Sequence, residues 1–247
     1  MTLIAITGAP PWLAQITADY RQYHDREHYI AQLADDRIAL ILVDGTQPDW
    51  AFWAVNPKIS PATRRIPVFV VSDSDAVQAQ ARQSGADLAL TSADLLQNFE
   101  QYMAAFARIT DPELAARLEC ECQEPLPELA QQGVEKFNAG EFYQQHDLFE
   151  ALWVETEGPV RDLYRAILQV GVAYYQILRG NPRGAHKMLL RSVQWLALLP
   201  DHCQGIDVQA LREDSARVRV ALEQLPPEKI DQFDRNLLKP VKNSINP

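Results

Sequence analysis

The sequence predicts two domains of different class, an α/β domain followed by an all-α helical bundle. Short apolar runs alternate with helical patterns over residues 1–108, which is typical of a receiver-like, flavodoxin-like parallel sheet with helices on both faces. From Leu126 onward, apolar residues recur at helical spacing and the turns are short, which favours antiparallel helices. A chain of 247 residues is long enough for a hydrophobic core in each domain.

Composition shifts and proline residues divide the chain into three segments. We expect the α/β domain over 1–108, a linker over 109–125, and a helical domain with a C-terminal arm over 126–247. Within the linker, Asp111 and Pro112 can cap and begin a short helix. Three apolar residues of the arm are expected to pack back onto a domain: Phe233, Leu237 and Leu238.

Four apolar runs predict the strands of the α/β domain. These runs are Leu3–Thr7, Ile38–Asp44, Pro67–Asp73 and Leu88–Leu90. Continuous apolar runs are typical of strands that are buried on both faces. One helix is expected through Trp12, Ile16 and Tyr20, another ends at Gly85, and a closing helix covers 94–109. The segment between the first helix and Ile38 is short, so we expect the second strand and second helix to be abbreviated.

Glycine and proline residues delimit the helices of the second domain. Gly140 and Gly180 are expected to end helices, because glycine readily adopts the left-handed conformation at a helix C-terminus. Asn181 is the expected N-cap of the following helix, with Pro182 in its first turn. The predicted helices are one through Leu126–Phe137 and then 142–156, 160–179, 182–199 and 208–222.

A candidate site lies on the second of these helices. His146, Glu150 and Trp153 are separated by four and three positions, so they project from one helix face within two turns. Phe149 and Leu152 fall beside them, so we expect this face to point inward, where imidazole and carboxylate need partners. Three uses remain open: a structural hydrogen bond, acid–base chemistry, or two of the three protein ligands that a catalytic zinc needs.

The residues around this motif resemble a known helical family. They are Phe137-Asn138, Gly140, Phe142-Tyr143, His146, Glu150 and Trp153, followed by Gln169, Arg179-Gly180-Asn181 and Gly184-Ala185. This pattern, over about 126–200, is similar to the HxxxExx(W/Y) family catalogued as domain of unknown function 309, for which metal binding has been suggested. The resemblance implies a polar pocket with His146 and Glu150 as its candidate catalytic residues. The predicted pocket residues are His146, Glu150, Trp153, Gln169, Gln176, Arg179 and Asn181.

Two positions differ from the usual family pattern. Members often have Glu where Asp147 stands and His where Gln176 stands. The second change removes a third metal ligand, so the candidate ligands of a divalent metal are reduced to His146 and Glu150. A helix-ending glycine is followed six positions later by a histidine twice in the chain, at Gly140 and His146 and at Gly180 and His186. Unless this repeat is coincidental, His186 is a further candidate metal ligand.

One amide of the predicted pocket needs hydrogen-bond partners. Gln169 lies in the middle of an apolar helix, and buried polar groups are normally hydrogen-bonded. We expect His146 or Glu150 to be its partner. Trp195 is interpreted as a core or interface aromatic.

The α/β domain is similar to a response-regulator receiver domain. Asp44 ends the third predicted strand, where that family keeps its phosphoacceptor, Ser72 matches the hydroxyl residue ending the fourth, and Gly85–Ser92 matches GADxYLxK with serine replacing the lysine. The family's acidic pair would lie near Thr7 and Gly8. Without those carboxylates and the lysine, neither Mg²⁺ nor an added phosphate is held. We expect a degenerate receiver that binds or dimerises; the alternative is that Asp44 is an ordinary strand-end aspartate.

Composition argues against several classes of protein. A net charge of -10 argues against nucleic-acid binding. No apolar run approaches the ~20 residues of a membrane span, and the N-terminus lacks signal-peptide features, so a cytoplasmic protein is expected. Cys120, Cys122 and Cys203 fit neither a disulfide framework nor a zinc ribbon, so we expect reduced thiols.

Two functions from different classes follow. The first is a cytoplasmic regulatory or protein-interaction protein, in which the receiver-like domain mediates homodimerisation or partner binding and the helical domain presents a groove. The second is a metal-binding module or metal-dependent hydrolase, in which Glu150 is a ligand or general base and Gln169 orients water or substrate. We favour the first, because an incomplete ligand set is readily explained by a structural polar network.

Overall fold

The computed structural model describes residues 3–108 and 111–243. Contacts divide the chain into an α/β unit, Met1–Ile109, and a helical unit, Thr110–Pro247. The predicted fold class is confirmed. Residues 109–110 of the predicted linker and 244–247 of the predicted arm lie outside the described residues. Across the described ranges, no helix is long and apolar enough to cross a bilayer.

A five-stranded parallel sheet forms the centre of the α/β unit. Its strands are β1 (Ile4–Thr7), β2 (Tyr20–Tyr23), β3 (Leu40–Asp44), β4 (Val68–Val71) and β5 (Leu88–Leu90). They lie in the order β2-β1-β3-β4-β5, which is the order of flavodoxin-like folds. Every residue of β1, β3 and β4 is buried, as their continuous apolar runs predict.

Helices cover both faces of this sheet. They are α1 (Tyr29–Asp35), α2 (Trp50–Ile59), α3 (Asp75–Gln83) and α4 (Ser92–Phe106). Residues of α1, α2 and α3 share one hydrophobic core with the sheet, and α4 packs in a second core. Along β3, Ile41 and Val43 belong to the first core and Leu40 and Leu42 to the second, because successive side chains of a strand point to opposite faces.

The helix expected through Trp12, Ile16 and Tyr20 is wrong. Pro11–Gln15 forms a short 3₁₀ turn, and the backbone is already extended at Ile16. Tyr20–Tyr23 then forms the edge strand β2. Trp12 and Ile16 are buried, so the apolar spacing marked core residues but not a helix. β2 and α1 are short, with four and seven residues, as expected.

The helical unit contains six α-helices, two short 3₁₀ helices (Pro227–Gln232 and Arg235–Leu237) and a small hairpin in the part of it that the structure describes. The α-helices are α5 (Pro112–Gln123), α6 (Glu128–Asn138), α7 (Phe142–Glu155), α8 (Arg161–Leu178), α9 (Pro182–Leu196) and α10 (Val208–Gln224). The hairpin pairs β6 (His202–Cys203) with β7 (Ile206–Asp207). Gly140 and Gly180 have φ values of 78° and 72°, and Asn181 Oδ1 accepts a hydrogen bond from the Gly184 N–H. These helix-ending and capping residues are confirmed.

A single hydrophobic core joins the helices of this unit. Gly133 of α6 packs closely against α7, because a Cβ atom there would lie 2.7 Å from the ring of Phe149. Phe233 of the C-terminal arm is buried, and Leu237 and Leu238 pack partly buried against the same core. The predicted packing of the arm is confirmed.

Most of the segment interpreted as a linker forms α5. Asp111 caps this helix as predicted, because its carboxylate accepts from the Glu113 N–H at 2.8 Å. Leu118 and Cys122 belong to the helical core, and Cys122 forms a disulfide with Cys203 of β6. The expectation of reduced thiols is therefore wrong for these two cysteines. The sequence did not indicate the pair, because 81 positions separate its members and only tertiary packing brings them together.

Candidate functional site

The face of α7 that carries His146, Glu150 and Trp153 lies at the surface of the helical unit. The His146 side chain is 32% exposed, Glu150 is exposed, and Trp153 is half-buried. The expectation that this face points inward is wrong. The buried residues of α7 are instead Phe142, Gln145, Phe149 and Leu152. This buried stripe, apolar except for Gln145, is rotated around the helix from the motif stripe, since each residue adds about 100°.

Within the described residues, His146 and Glu150 do not form the structural hydrogen bond that was one of the three uses left open by the sequence. Nδ1 of His146 lies 3.2 Å from Oδ1 of Asp147, its neighbour in the sequence. Within the described residues, Glu150 has neither a hydrogen bond nor an ion pair with another side chain. Both side chains are therefore open to groups outside the helical unit.

Trp153 packs against two guanidinium groups of α8. Cζ of Arg165 lies 4.4 Å from the ring centroid of Trp153 and 3.8 Å from that of Trp195 on α9. Cζ of Arg161 lies 5.8 Å from the Trp153 ring. Cation–π contacts of this kind contribute about 0.5–2 kcal/mol each. We call the set Glu150, Trp153, Arg161 and Arg165 the α7–α8 surface.

Nε1 of Trp153 and Nε of Arg161 are N–H groups of this surface that are buried without an acceptor in the described part of the chain. A buried donor that lacks an acceptor costs about 1–3 kcal/mol. An acceptor on a molecule that docks here would remove this cost, provided that the side chains shift to present these groups.

Gln169 bonds to a different partner from the one expected. Its Oε1 accepts a hydrogen bond from Nε1 of Trp195 at 3.2 Å, rather than bonding to His146 or Glu150. The bond fixes the Trp195 indole beside Arg165. Gln169 of α8 therefore supports the α7–α8 surface through Trp195 of α9.

The remaining predicted pocket residues lie at the other end of α8. Gln176 is eleven positions beyond Arg165, about 16 Å along a helix. Its Oε1 accepts from Nδ2 of Asn181 at 2.8 Å, and Arg179 is exposed. These three residues form the connection between α8 and α9 and are not brought together with Trp153.

The candidate metal ligands do not form a three-ligand set. Nε2 of His186 lies 2.9 Å from Oε1 of Glu223 on α10. Within residues 3–108 and 111–243, no group of three or more His, Cys, Asp and Glu side chains is arranged to hold a metal ion. A catalytic zinc usually needs three protein ligands, so the geometry gives His146 and Glu150 no third partner from the described chain.

The second candidate site lies at the carboxyl ends of the strands in the α/β unit. Asp44 is buried at the end of β3, and its Oδ1 accepts from the N–H and the hydroxyl of Thr46. Ser72 is buried at the end of β4, and its Oγ accepts from the Ser74 N–H at 3.3 Å. Asp73 accepts hydrogen bonds from both the N–H and the hydroxyl of Ser92. Asp44, Ser72 and Asp73 thus accept hydrogen bonds from neighbouring residues, whereas Oγ1 of Thr7 and Nε2 of Gln47 are buried without a partner among the described residues.

A glutamine side chain fills the space beside the first strand. Gly8 has a φ of 80°, and a Cβ atom there would lie 1.9 Å from Nε2 of Gln47 and 2.9 Å from Oδ2 of Asp44. A larger acidic residue at Gly8 would therefore require Gln47 to move. A cavity of about 280 Å³ lies nearby, lined by residues that include Thr46 and Ser72.

Sequence reasoning missed Arg161 and Arg165 as site residues and interpreted Trp195 only as a core or interface aromatic. A signal for the arginines was present, because Arg161, Arg165 and Gln169 recur every four positions and so form a polar stripe on an otherwise apolar helix. The contact between Arg165 and Trp195 could not be predicted in the same way, since it depends on how α8 and α9 pack.

Comparison with known proteins identifies similarity in the helical unit. Residues 130–188 match the family described as "Domain of unknown function (DUF309)", which covers the motif on α7. The chain is also similar to an "Uncharacterized protein" from Aquifex aeolicus (strain VF5), with 24% identity over 86 residues. That alignment covers 34% of this chain and 26% of the relative, so the chain spans about a quarter of the length of that relative.

Proposed function

We propose that this chain is a regulatory or protein-interaction protein. Its helical unit binds a protein partner through the α7–α8 surface, and its receiver-like α/β unit acts by binding rather than by phosphotransfer. The observation that carries the proposal is the half-buried indole of Trp153, held by Arg161 and Arg165 on the motif-bearing side of the bundle.

The residue types of this surface support recognition of a protein. Tryptophan and arginine dominate the binding energy of many protein interfaces, because they combine a large apolar area with directed hydrogen-bond donors. A guanidinium group binds carboxylates through two parallel hydrogen bonds. We therefore assign the partner a carboxylate that Arg161 binds while an apolar group covers Trp153.

The strand order and the position of Asp44 support a receiver-like unit. The hydrogen bonds from Thr46 to Asp44, together with Gly8 and Ser92 at positions where receivers keep acidic and basic groups, support a binding role for it. We also propose that the chain forms a homodimer. Light scattering coupled to size exclusion measures the mass of the particle and tests this part of the proposal independently.

The test of partner binding compares tagged wild-type protein with Trp153→Ala and Arg161→Gln. Arg183→Gln is the matched control, because Arg183 is an exposed arginine of α9. Proteins that co-purify from native cells are quantified by mass spectrometry, and circular dichroism checks that each variant is folded.

We expect at least one protein to be recovered equally with wild type and Arg183→Gln and to be depleted about ten-fold with the other two variants, as loss of an interface hot spot predicts. Calorimetry with that purified protein should then give a fixed stoichiometry. Equal recovery with all four forms would contradict the proposal.

A further inference from the structure

A cleft of about 760 Å³ opens in the helical unit outside the α7–α8 surface. Its walls are the end of α5 with the segment that follows it, one face of α6, and the turn between β6 and β7. None of its lining residues belongs to α7, α8 or α9. Its volume lies within the range of about 300–1,000 Å³ that is usual for small-molecule sites.

The lining of this cleft is acidic. It contains the carboxylates of Glu124 and Glu135 and no Lys, Arg or His side chain. Within the described chain, neither carboxylate has an ion-pair partner. Gln131 donates from Nε2 to the carbonyl oxygen of Leu126 at 2.7 Å, which leaves its amide oxygen to accept. The cleft therefore offers negative charge and hydrogen-bond acceptors.

Apolar groups lie between these acceptors. Leu126 and Val134 line the cleft together with Pro125. A ligand that matches both features has positively charged donors joined by methylene groups. An anion would be repelled by the carboxylates, and a neutral polyol would form no ion pair with them.

Strong contacts hold two walls of the cleft in place. The Gln204 N–H donates to the Cys122 carbonyl oxygen at 2.7 Å, beside the disulfide that joins Cys122 to Cys203. The buried Gln204 side chain accepts from the Tyr164 hydroxyl at 2.8 Å and donates to the Glu121 carbonyl oxygen at 3.2 Å. Walls that are fixed before binding reduce the ordering cost of binding a ligand.

A second contact fixes the α6 wall. The Asn138 amide donates to the Val241 carbonyl oxygen at 3.0 Å and accepts from the Val241 N–H at 2.8 Å. This pair of bonds ties the end of α6 to the C-terminal segment whose Asn243 also lines the cleft.

We propose that this cleft binds an aliphatic diamine or polyamine. Its ammonium groups contact Glu124 and Glu135, and its methylene groups lie against Leu126 and Val134. The disulfide between Cys122 and Cys203 holds the cleft in the shape that binds.

The probe for this proposal is spermidine, titrated into the full-length chain by calorimetry at low ionic strength. Glu124→Gln/Glu135→Gln removes both cleft carboxylates. Glu119→Gln/Glu128→Gln is the matched control, because it changes the net charge equally at exposed residues of α5 and α6 that do not line the cleft. Putrescine is compared with the uncharged diol of equal length.

We expect one saturable spermidine site per chain, weakened about ten-fold by the cleft variant, as the loss of two exposed ion pairs predicts, and unchanged by the control variant. The diol should give no binding. Absence of saturable heat, equal weakening in both double variants, or equal binding of the diol would each overturn the proposal.

Discussion

The Thr46 hydroxyl donates a hydrogen bond to Oδ1 of Asp44 at 2.6 Å, and the Thr46 N–H donates to the same oxygen at 2.9 Å. Asp44 is only 4% exposed at the end of β3. One residue of the following turn therefore occupies a carboxylate oxygen that a receiver domain would use for Mg²⁺ or for phosphate.

We expect Asp44 to gain no phosphoryl group from acetyl phosphate and Mg²⁺. Ser92 donates to Asp73 where the receiver lysine would stand, and a hydroxyl does not neutralise added phosphate as an ammonium does. Intact-mass spectrometry of wild type and Asp44→Asn measures the adduct. A gain of one phosphoryl group in wild type that is absent from Asp44→Asn would show the prediction to be wrong.

Reduction or loss of the disulfide between Cys122 and Cys203 should destabilise the helical unit. The bridge closes a loop across 81 positions, for which the chain-entropy relation gives about 4.5 kcal/mol of unfolding free energy. Urea unfolding followed by circular dichroism compares wild type with Cys203→Ser, and Cys120→Ser is the control because Cys120 is a free, exposed thiol. Identical midpoints for wild type and Cys203→Ser would refute this expectation.

Gly133→Ala should destabilise the contact between α6 and α7. The added methyl would lie 2.7 Å from the Phe149 ring, and overpacking costs about 1–3 kcal/mol. This cost exceeds the gain of about 0.8–1.0 kcal/mol in helix propensity. Thermal unfolding measures the difference, with exposed Gln132→Ala on the same helix as control. A higher melting temperature for Gly133→Ala would contradict the packing described.

The stability of the α/β unit should fall above about pH 10, which is the ordinary pKa of a tyrosine side chain. Burial, then the hydrogen bond and charge of Asp36, raise the pKa of Tyr23, whose hydroxyl donates to Oδ2 of Asp36 at 2.6 Å. The folded state therefore keeps a proton that the unfolded state releases, so stability present below pH 10 is lost as pH rises. Melting temperatures against pH measure the effect.

The matched variants for this pH dependence are Tyr23→Phe and Tyr20→Phe. Both residues lie on β2, but Tyr20 is 42% exposed. Tyr23→Phe should reduce the alkaline fall in melting temperature, part of which remains because burial also raises the pKa of Tyr29, and Tyr20→Phe should leave it unchanged. Equal slopes for wild type and Tyr23→Phe would argue against a role for Tyr23 ionisation.

The central strands could be predicted because a parallel sheet buries both of its faces. The run Ile38–Asp44 contains only apolar residues before its final aspartate, and β3 occupies Leu40–Asp44. The edge strand Tyr20–Tyr23 was missed, because its exposed residues carry no continuous apolar signal. Local pattern thus identified the interior of the sheet and failed at its edge.

The site was predictable only in part, for a related reason. Helical spacing placed His146, Glu150 and Trp153 on one face, and in the structure all three lie on one face of α7. Spacing alone does not decide which face of α7 packs into the core. The structure buries the stripe that contains Phe149 and leaves the motif stripe at the surface. The contact of Arg165 with Trp195 arises from the packing of α8 against α9, which spacing within one helix does not encode.

The central claim is that the motif side chains of α7 serve recognition rather than metal chemistry. Metal content of tag-free protein purified without chelators tests it most directly, with His146→Ala and Glu150→Gln measured in parallel by inductively coupled plasma mass spectrometry. We predict no stoichiometric metal in any of the three forms, because His146 and Glu150 have no third ligand in the described chain. One metal per chain in wild type, lost in both variants, would contradict the claim.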